Sequence, residues 1–250
     1  MPDFTADYLL DKQIRIFQPV DGYRASTDAV FLSSLISQVK ANEQILDVGS
    51  GTGAVSLCLA HRFPQNKIIG LEIQSKLAEL SNMSAAANGF ENLQYLNFDI
   101  QQPQTVLPYG SFHHVISNPP YSDHDMPSPK LGKATAHNFR DFHLSEWIDF
   151  MLKMLRPQGY FYMVNRAEAV DEILACLYKK TGAIDIVPLY SKVDQPAKRV
   201  LISARKNSKA PTKIEQGLIV HNRDGSYTEK AHCILRLGES MAQASSKSEK

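Results

Sequence analysis

The segment Asp47-Val-Gly-Ser-Gly-Thr-Gly53 (DVGSGTG) decides the fold class of this 250-residue chain. It completes an apolar run, Gln44–Gly49, and precedes Ala54–Phe63, whose apolar residues recur with helical spacing. Glycines between a strand and a helix let the backbone turn sharply and let a ligand lie against it. The segment therefore predicts the first strand-to-helix turn of an α/β fold, with a ligand site at the turn.

Alternation of strands and helices continues after this segment. The pattern predicts strands at Lys67–Ile73, Leu93–Phe98, His113–Ser117 and Tyr160–Asn165, with helices at Ser75–Asn88, Leu144–Leu155 and Ala167–Lys180. Such alternation is typical of a mostly parallel sheet with helices on both faces. Two late strands, Ile184–Tyr190 and Arg199–Arg205, have no helix between them, so we expect them to form an antiparallel hairpin.

Length and composition are those of one globular domain, with 43% hydrophobic and 21% charged residues. We expect one domain over residues 1–241, comprising an N-terminal extension (1–40), a ligand-binding core (41–206) and a C-terminal strand and helix (207–241), followed by a disordered tail (242–250). No apolar run approaches the ~20 residues of a membrane span, and the N-terminal residues do not resemble a secretory signal. The three cysteines are widely spaced, which indicates a reducing cytoplasm and neither a disulfide framework nor a zinc site.

Acidic residues lie at the C-terminal ends of the first three strands of the predicted sheet. Asp47 precedes the first glycine of the loop, Glu72 ends the second strand and Asp99 ends the third. Because the carboxyl ends of parallel strands meet at one edge, these acids are expected to lie together. Glu72 can accept hydrogen bonds from two ribose hydroxyls and Asp99 from an adenine amino group, with Ile73 and Ile100 against the ring.

This arrangement predicts an adenosine-containing cofactor. The GxGxG spacing of Gly49, Gly51 and Gly53 departs from the GxGxxG of the dinucleotide fingerprint, which disfavours NAD. Taken singly, each acid fits a helix cap or a solvated turn equally well.

The segment Asn118-Pro119-Pro120-Tyr121 (NPPY) follows the fourth strand, at the same predicted edge. Two prolines keep the chain extended. The Asn118 side-chain oxygen and the Pro119 carbonyl can then accept both hydrogens of an amino group on a planar carbon, while Tyr121 can stack on the planar target. The alternative is a structural turn in which Asn118 bonds its own backbone.

Basic residues are concentrated late in the chain, since residues 177–213 hold nine bases and two acids. This asymmetry indicates either a polyanionic partner or a solvated basic face. The bases expected to flank the site and contact the phosphates of such a partner are Lys130, Lys133, Lys198, Arg199 and Arg205. Five histidines surround NPPY, but His113 and His114 alternate along a strand, so no metal site is expected.

The motifs DVGSGTG and NPPY, with Glu72 and Asp99, resemble the class I methyltransferases that methylate amino groups. From about Asp7 to Met241 the chain resembles the bacterial tRNA (adenine-37-N6)-methyltransferase family that acts on a valine tRNA. The stretches that carry this likeness are LLDKQIRIFQPVDGYRASTDAVFL, SNPPY, PSPKLGKATAH, PAKRVLISARK and HNRDGSYTE.

The resemblance implies a Rossmann-like, mostly parallel seven-stranded sheet with a late antiparallel hairpin. It also implies S-adenosylmethionine as cofactor and tRNA as substrate. It further implies that Arg24, Thr27 and Asp28 lie near the cofactor pocket, although Ser26–Asp28 equally fit the start of a helix.

Other functions remain open at this point. The NPPY motif also suits a guanine N2 in rRNA or a glutamine amide of a release factor, although enzymes of the latter kind carry a helical domain where this chain has 46 residues before Asp47. A DNA adenine methyltransferase is disfavoured because no large insertion is present. The intact motif disfavours a non-enzymatic RNA-binding or cofactor-sensing module. The RNA, the modified position and the oligomeric state stay open.

Overall fold

The computed structural model describes residues 3–102, 107–120 and 143–247. The elements, in chain order, are β1 (Phe4–Leu9), β2 (Ile14–Pro19), α1 (Thr27–Ser34), β3 (Ile45–Val48), α2 (Ala54–Arg62), β4 (Ile68–Glu72), α3 (Ser75–Ala87), β5 (Leu93–Asn97), β6 (Phe112–Ser117), α4 (Leu144–Met154), β7 (Leu155–Arg166), a 3₁₀ turn (Ala167–Ala169), α5 (Val170–Leu177), β8 (Thr181–Lys192), β9 (Arg199–Lys206), β10 (Lys213–Ile214), β11 (Leu218–His221), α6 (Glu229–Leu237) and α7 (Met241–Lys247).

The central sheet has the strand order β10-β8-β9-β7-β6-β3-β4-β5, with β11 also paired to β8. Strands β3 to β7 are mutually parallel, whereas β9 is antiparallel to both β7 and β8. The predicted mostly parallel seven-stranded sheet with a late antiparallel hairpin is therefore confirmed. The short strands β10 and β11 extend it beside β8.

Helices cover both faces of the sheet, as the sequence predicts. Along β3, Ile45 faces a core shared with Leu57 of α2, while Leu46 faces a second core shared with Met151 of α4. Successive residues of a strand point to opposite faces, so one buried strand supplies both cores. Ile45, Leu46, Leu57 and Met151 are all fully buried.

The N-terminal residues form a separate antiparallel hairpin, β1–β2, that packs on α3. The Phe17 N–H donates to Ser84 Oγ at 2.9 Å, and the Arg15 N–H donates to Asn88 Oδ1 at 2.9 Å. Ile16 is fully buried beneath the hairpin. The hairpin is thereby fixed to the C-terminal half of the helix that follows β4.

The C-terminal segment differs from the expected disordered tail. Helix α7 spans Met241–Lys247, and Ala244 is buried. Ser240 stabilises the helix start, because its N–H and Oγ both donate to Gln243 Oε1 at 2.9 Å. Residues 248–250 lie outside the described part of the chain. None of the helices within the described ranges has the length and apolar character needed to cross a bilayer.

Candidate active site

The glycine loop after β3 packs against aromatic side chains. Gly49 and Gly51 have φ of +70° and +57°, a left-handed conformation that favours glycine. A Cβ on Gly49 would lie 2.6 Å from Trp147 Cζ2, and one on Gly51 would lie 2.8 Å from Tyr23 Cε1. Glycine is therefore required for the turn and for these close aromatic contacts, as well as for space beside a ligand.

Polar atoms inside this loop are buried without partners. Asp47 is 1% exposed and its Oδ2 accepts a hydrogen bond from Ser56 Oγ at 2.5 Å. Asp47 Oδ1, Ser50 Oγ and Thr52 Oγ1 have no hydrogen-bond partner within the described ranges. An unsatisfied buried polar group costs ~1–3 kcal/mol, so three such groups at one turn call for hydrogen-bond partners from bound water or a polar ligand.

The Asp47 carboxyl is partly protonated near neutral pH in the free protein. Burial, with a smaller contribution from the nearby Glu72 carboxylate, raises the pKa of Asp47 to about 7. A cation placed beside Asp47 would favour its ionised form. The loop therefore suits a ligand that combines hydrogen-bonding groups with positive charge, and S-adenosylmethionine has both.

Glu72 connects the end of β4 to the glycine loop. Its Oε2 accepts from the Gly51 N–H at 2.8 Å and its Oε1 accepts from the Gln74 N–H at 2.9 Å. Burial raises the pKa of Glu72, and these backbone hydrogen bonds oppose the rise. Each carboxylate oxygen retains capacity for a second hydrogen bond, so the fixed carboxylate can accept from ribose hydroxyls.

The predicted adenine-facing residues lie at the same edge. Asp99 and Ile100 follow the end of β5 and are half-buried, as is Ile73 after β4. The ends of the two strands are joined by Asn97, whose Nδ2 donates to Glu72 O at 3.0 Å and Ile73 O at 2.8 Å. The pattern of acids did not indicate Asn97, which holds the two acidic turns side by side.

The predicted catalytic segment begins where β6 ends, beside β3. Ser117 Oγ donates to Val48 O at 2.6 Å and accepts from Trp147 Nε1 at 2.8 Å. Asn118 is half-buried and Pro119 is buried. Because Trp147 also packs on Gly49, one indole ring connects the glycine loop to the start of the Asn118 segment. Tyr121 lies outside the described residues.

Sequence reasoning missed both Ser117 and Trp147. The only available signals were that Trp147 is the single tryptophan of the chain and that Ser117 directly precedes NPPY. Neither feature specifies a contact by itself.

The resemblance implies that Arg24, Thr27 and Asp28 lie near the cofactor pocket, but they lie in two different environments: Thr27 and Asp28 at the start of α1, and Arg24 against the N-terminal hairpin. Asp28 is half-buried at the start of α1, and its Oδ2 accepts from Arg199 Nε at 3.1 Å. Thr27 is exposed, and Ser26 occupies the N-cap position without a side-chain capping bond. Arg24 instead binds the hairpin, donating to Asp7 Oδ2 at 2.6 Å and to Pro19 O at 2.9 Å.

The basic residues expected at the site are not all near it. Lys198 and Arg199 lie at the carboxyl edge, where Arg199 pairs with Arg166 at the end of β7 and is also bound to Asp28. Arg205 pairs with Tyr160 at the opposite edge and stacks on its ring at 5.4 Å. Arg205 is six positions along β9 from Arg199, a distance of about 20 Å.

The expectation that Arg205 flanks the site is therefore wrong. The late hairpin, β8–β9, was predicted correctly. Its second strand, β9, runs away from the carboxyl edge, so basic residues at the C-terminal end of β9 lie far from the site. Lys130 and Lys133 lie outside the described residues. Three basic side chains not singled out before lie beyond the carboxyl edge: Lys192, His221 and Arg223.

Within residues 3–102, 107–120 and 143–247, no group of three or more His, Cys, Asp or Glu side chains is arranged to hold a metal ion.

Comparison with known proteins supports the same chemistry. Residues 25–185 match the model of the methyltransferase small domain. A tRNA1(Val) (adenine(37)-N6)-methyltransferase from Shewanella sp. is 28% identical over 222 residues, which cover 88% of this chain and 93% of that protein. A protein of the same name from Porphyromonas gingivalis is 27% identical over 230 residues, covering 87% of this chain and 89% of its own.

Solved structures share the fold. A crystal structure described as a predicted O-methyltransferase from Agrobacterium tumefaciens has a TM-score of 0.71 and 25% identity, covering 85% of this chain and 97% of that one. A tRNA (m1A58) methyltransferase from Aquifex aeolicus has a TM-score of 0.53 and 15% identity, covering 74% of this chain and 71% of its own. The family match spans well over half of the sequence and includes the glycine loop, Glu72, Asp99 and Asn118. The chain therefore belongs to the methyltransferase small domain family and is an S-adenosylmethionine-dependent methyltransferase.

Proposed function

We propose that this enzyme methylates the N6 amino group of an adenine in tRNA. The observation that carries the proposal is the position of Asn118-Pro119-Pro120 at the end of β6, beside the glycine loop and connected to it through Ser117 and Trp147. The names of the Shewanella and Porphyromonas relatives support tRNA and adenine N6 as the substrate.

Asn118 and Pro119 would act on the target amino group. The Asn118 side-chain oxygen and the Pro119 carbonyl accept its two hydrogens, which favours a pyramidal nitrogen and turns its lone pair out of the conjugated ring. S-adenosylmethionine, when bound, supplies a methyl group on a positively charged sulfur. As the new N–C bond forms, the nitrogen becomes positive and both hydrogen bonds strengthen, so they stabilise the transition state more than the bound substrate. The methylated nitrogen then releases one of its two protons to solvent and becomes neutral again.

Two acceptors side by side favour nitrogen over oxygen as the methylated atom. A hydroxyl has one hydrogen to donate and gains its nucleophilicity from losing that proton to a base. The Agrobacterium structure described as a predicted O-methyltransferase shares the fold, but a shared fold hosts different chemistries. The Asn-Pro-Pro segment is the feature that argues for an amino group in this chain.

Positive charge beside the site suits an RNA substrate. Lys192 and Lys198 are exposed at the carboxyl edge, and Arg223, in the turn after β11, forms an exposed ion pair with Asp194. Their charges can contact phosphates while one base enters the site. An unpaired loop adenine is favoured, because a paired base must first be unstacked at a cost of a few kcal/mol.

Identification of the modified nucleoside tests the proposal. The enzyme is incubated with isotopically labelled S-adenosylmethionine and, separately, bulk tRNA, ribosomal RNA and release factor. Digestion and mass spectrometry should find labelled N6-methyladenosine in the tRNA sample. Labelled N2-methylguanosine from ribosomal RNA, or a methylated glutamine in the release factor, would replace the proposal by the corresponding alternative. A parallel reaction with Asn118→Ala shows whether the label depends on this active site.

A further inference from the structure

Tyr23 lies against the glycine loop although it comes from a distant part of the sequence. Its Cε1 is so near Gly51 that a Cβ there would approach to 2.8 Å. The side chain is nevertheless 47% exposed. One part of the ring therefore packs on the loop backbone, and the rest stays accessible to a ligand that lies on this loop.

The segment that carries Tyr23 is held by a set of hydrogen bonds from the N-terminal hairpin. Arg24, its neighbour in sequence, donates to Asp7 Oδ2 at 2.6 Å and to Pro19 O at 2.9 Å. On the next residue, the Ala25 N–H donates to Gln18 Oε1 at 2.7 Å, and Gln18 Nε2 donates to Asp7 Oδ2 at 3.0 Å. These bonds fix the backbone on the C-terminal side of Tyr23, so the ring has a defined position over the loop.

Carboxylates surround the same place. Burial raises the pKa of the Tyr23 hydroxyl to about 12, and the charges of Asp47, Asp28 and Glu72 add to the rise. Among them, Asp47 is buried and its Oδ1 has no partner within the described ranges. Asp28 is paired with Arg199, so the ring face and the carboxyl groups of Glu72 and Asp47 supply the negative potential that attracts a cation here.

The reaction changes the charge of the cofactor at one atom. S-adenosylmethionine carries a sulfonium, and its product S-adenosylhomocysteine carries a neutral thioether after the methyl group has left with the new bond to the substrate nitrogen. A group that senses the sulfonium therefore distinguishes the two molecules, which are otherwise nearly alike.

We propose that the Tyr23 ring forms one wall of the cofactor site and selects the cationic sulfonium over the neutral product. Such a wall favours entry of the methyl donor and release of the product at the same site. The inference rests on S-adenosylmethionine as cofactor and is independent of which nitrogen the enzyme methylates.

Calorimetric titration of Tyr23→Leu with each cofactor form tests the proposal. An aromatic contact with a cation corresponds to roughly a 2- to 30-fold change in affinity. We expect the dissociation constant for S-adenosylmethionine to rise by that factor, and the constant for S-adenosylhomocysteine to change by less than about twofold. The ratio of the two constants is the measured quantity, and it is independent of turnover.

Two further variants make the test decisive. Tyr23→Phe keeps the ring and should preserve the ratio of the parent. Tyr178→Leu removes an exposed tyrosine that precedes β8, at the opposite edge of the sheet, and should change neither constant. Equal weakening of both cofactor forms in Tyr23→Leu, no weakening of either, or loss of the ratio in Tyr23→Phe would each overturn the proposal. Failure of this test leaves the nucleoside assignment standing, because that assignment is read from the modified RNA.

Discussion

At the scale of single residues, two buried carboxylates at the glycine loop differ in how many of their oxygens already accept a hydrogen bond. Glu72 receives a backbone N–H on each oxygen, whereas Asp47 keeps Oδ1 without a partner within the described ranges. Glu72 is thus fixed in position for directed hydrogen bonds. Asp47 is buried next to it and is the group whose ionisation responds to a bound cation.

Replacement of Glu72 by alanine should weaken S-adenosylmethionine binding by ~1–3 kcal/mol, because hydrogen bonds to a charged group are lost. Calorimetry measures the change directly. Glu79→Ala is the matched control, because it also removes one carboxylate, at an exposed position on α3. Unchanged affinity in the Glu72 variant would contradict the assignment of this carboxylate to the ribose.

Cofactor affinity should increase with pH as Asp47 ionises. The pKa of Asp47 is about 7 in the folded protein, above the usual value of 3.8. Between these two values the folded protein keeps a proton on Asp47 that the unfolded chain has released. Folding stability from this group is therefore lost as pH rises across that window. A cationic ligand favours the ionised form, so binding should release a proton and strengthen through about pH 7.

Titrations in two buffers with different ionisation enthalpies measure the protons released on binding. Asp47→Asn, which does not titrate, should release fewer protons than the parent. If the parent and the variant release equal numbers, Asp47 is not the group that titrates.

At the scale of elements, α4 acts on the site through one side chain. Trp147 packs on Gly49 and donates to Ser117, which in turn donates to Val48 O. Trp147→Phe keeps an aromatic ring but removes the donor. We expect it to lower kcat by roughly 10-fold, the effect of a small displacement of a reacting group, with less change in cofactor affinity.

Steady-state kinetics and calorimetry on the same Trp147→Phe preparation separate the two effects. Trp147 is a positioning residue in this account, so the variant should remain folded and bind the cofactor. If cofactor affinity fell while kcat stayed unchanged, Trp147 would act on the glycine loop alone and not on the Asn118 segment.

The elements that local periodicity describes were predicted well, and those that tertiary contacts decide were not. β3, α2, β4 and α3 follow from alternating runs, and β8 and β9 from two apolar runs without a helix between them. β7 begins at Leu155 rather than Tyr160, because the register shifts between the Phe112–Leu155 and His114–Tyr160 pairs and Pro157 and Gly159 fall within this irregularity. α7 forms from small polar residues because α6 packs beside it.

The residues of the candidate site also divide into those that a local pattern predicts and those that tertiary packing decides. Asp47, Glu72, Asp99 and Asn118 each lie at or just after the carboxyl end of a parallel strand, and these strand ends meet at one edge of the sheet. Tyr23 and Trp147 reach the glycine loop from segments far away in sequence, and no local pattern specifies such a contact. Their partners depend on how the hairpin and α4 pack.

At the scale of the whole molecule, the sheet separates two groups of basic residues. Lys198 precedes β9 at the carboxyl edge, and Lys209 follows β9 at the opposite edge; both are exposed. Arg199 is less suitable for a test of RNA binding, because its guanidinium already forms an ion pair with Asp28.

Lys198→Ala should weaken tRNA binding and reduce the slope of log affinity against log salt by roughly 0.7–0.9, as expected for one lost phosphate contact. Lys209→Ala removes the same charge away from the site and should leave the slope nearly unchanged. Binding titrations at several salt concentrations measure both slopes. Equal effects of the two substitutions would mean that the basic residues act only through net charge.

The central claim is that Asn118 acts on the target amino group while the glycine loop, Glu72 and Asp99 hold the cofactor. The most direct test compares single-turnover methylation of tRNA by the parent, Asn118→Ala and Asn118→Asp, with cofactor affinity measured on each protein. We predict that Asn118→Ala binds S-adenosylmethionine as the parent does but loses roughly 10²–10³-fold in rate, by analogy with the loss of one transition-state hydrogen bond. Asn118→Asp, which keeps an acceptor oxygen, should retain more of the rate. A parental single-turnover rate in Asn118→Ala would contradict the account.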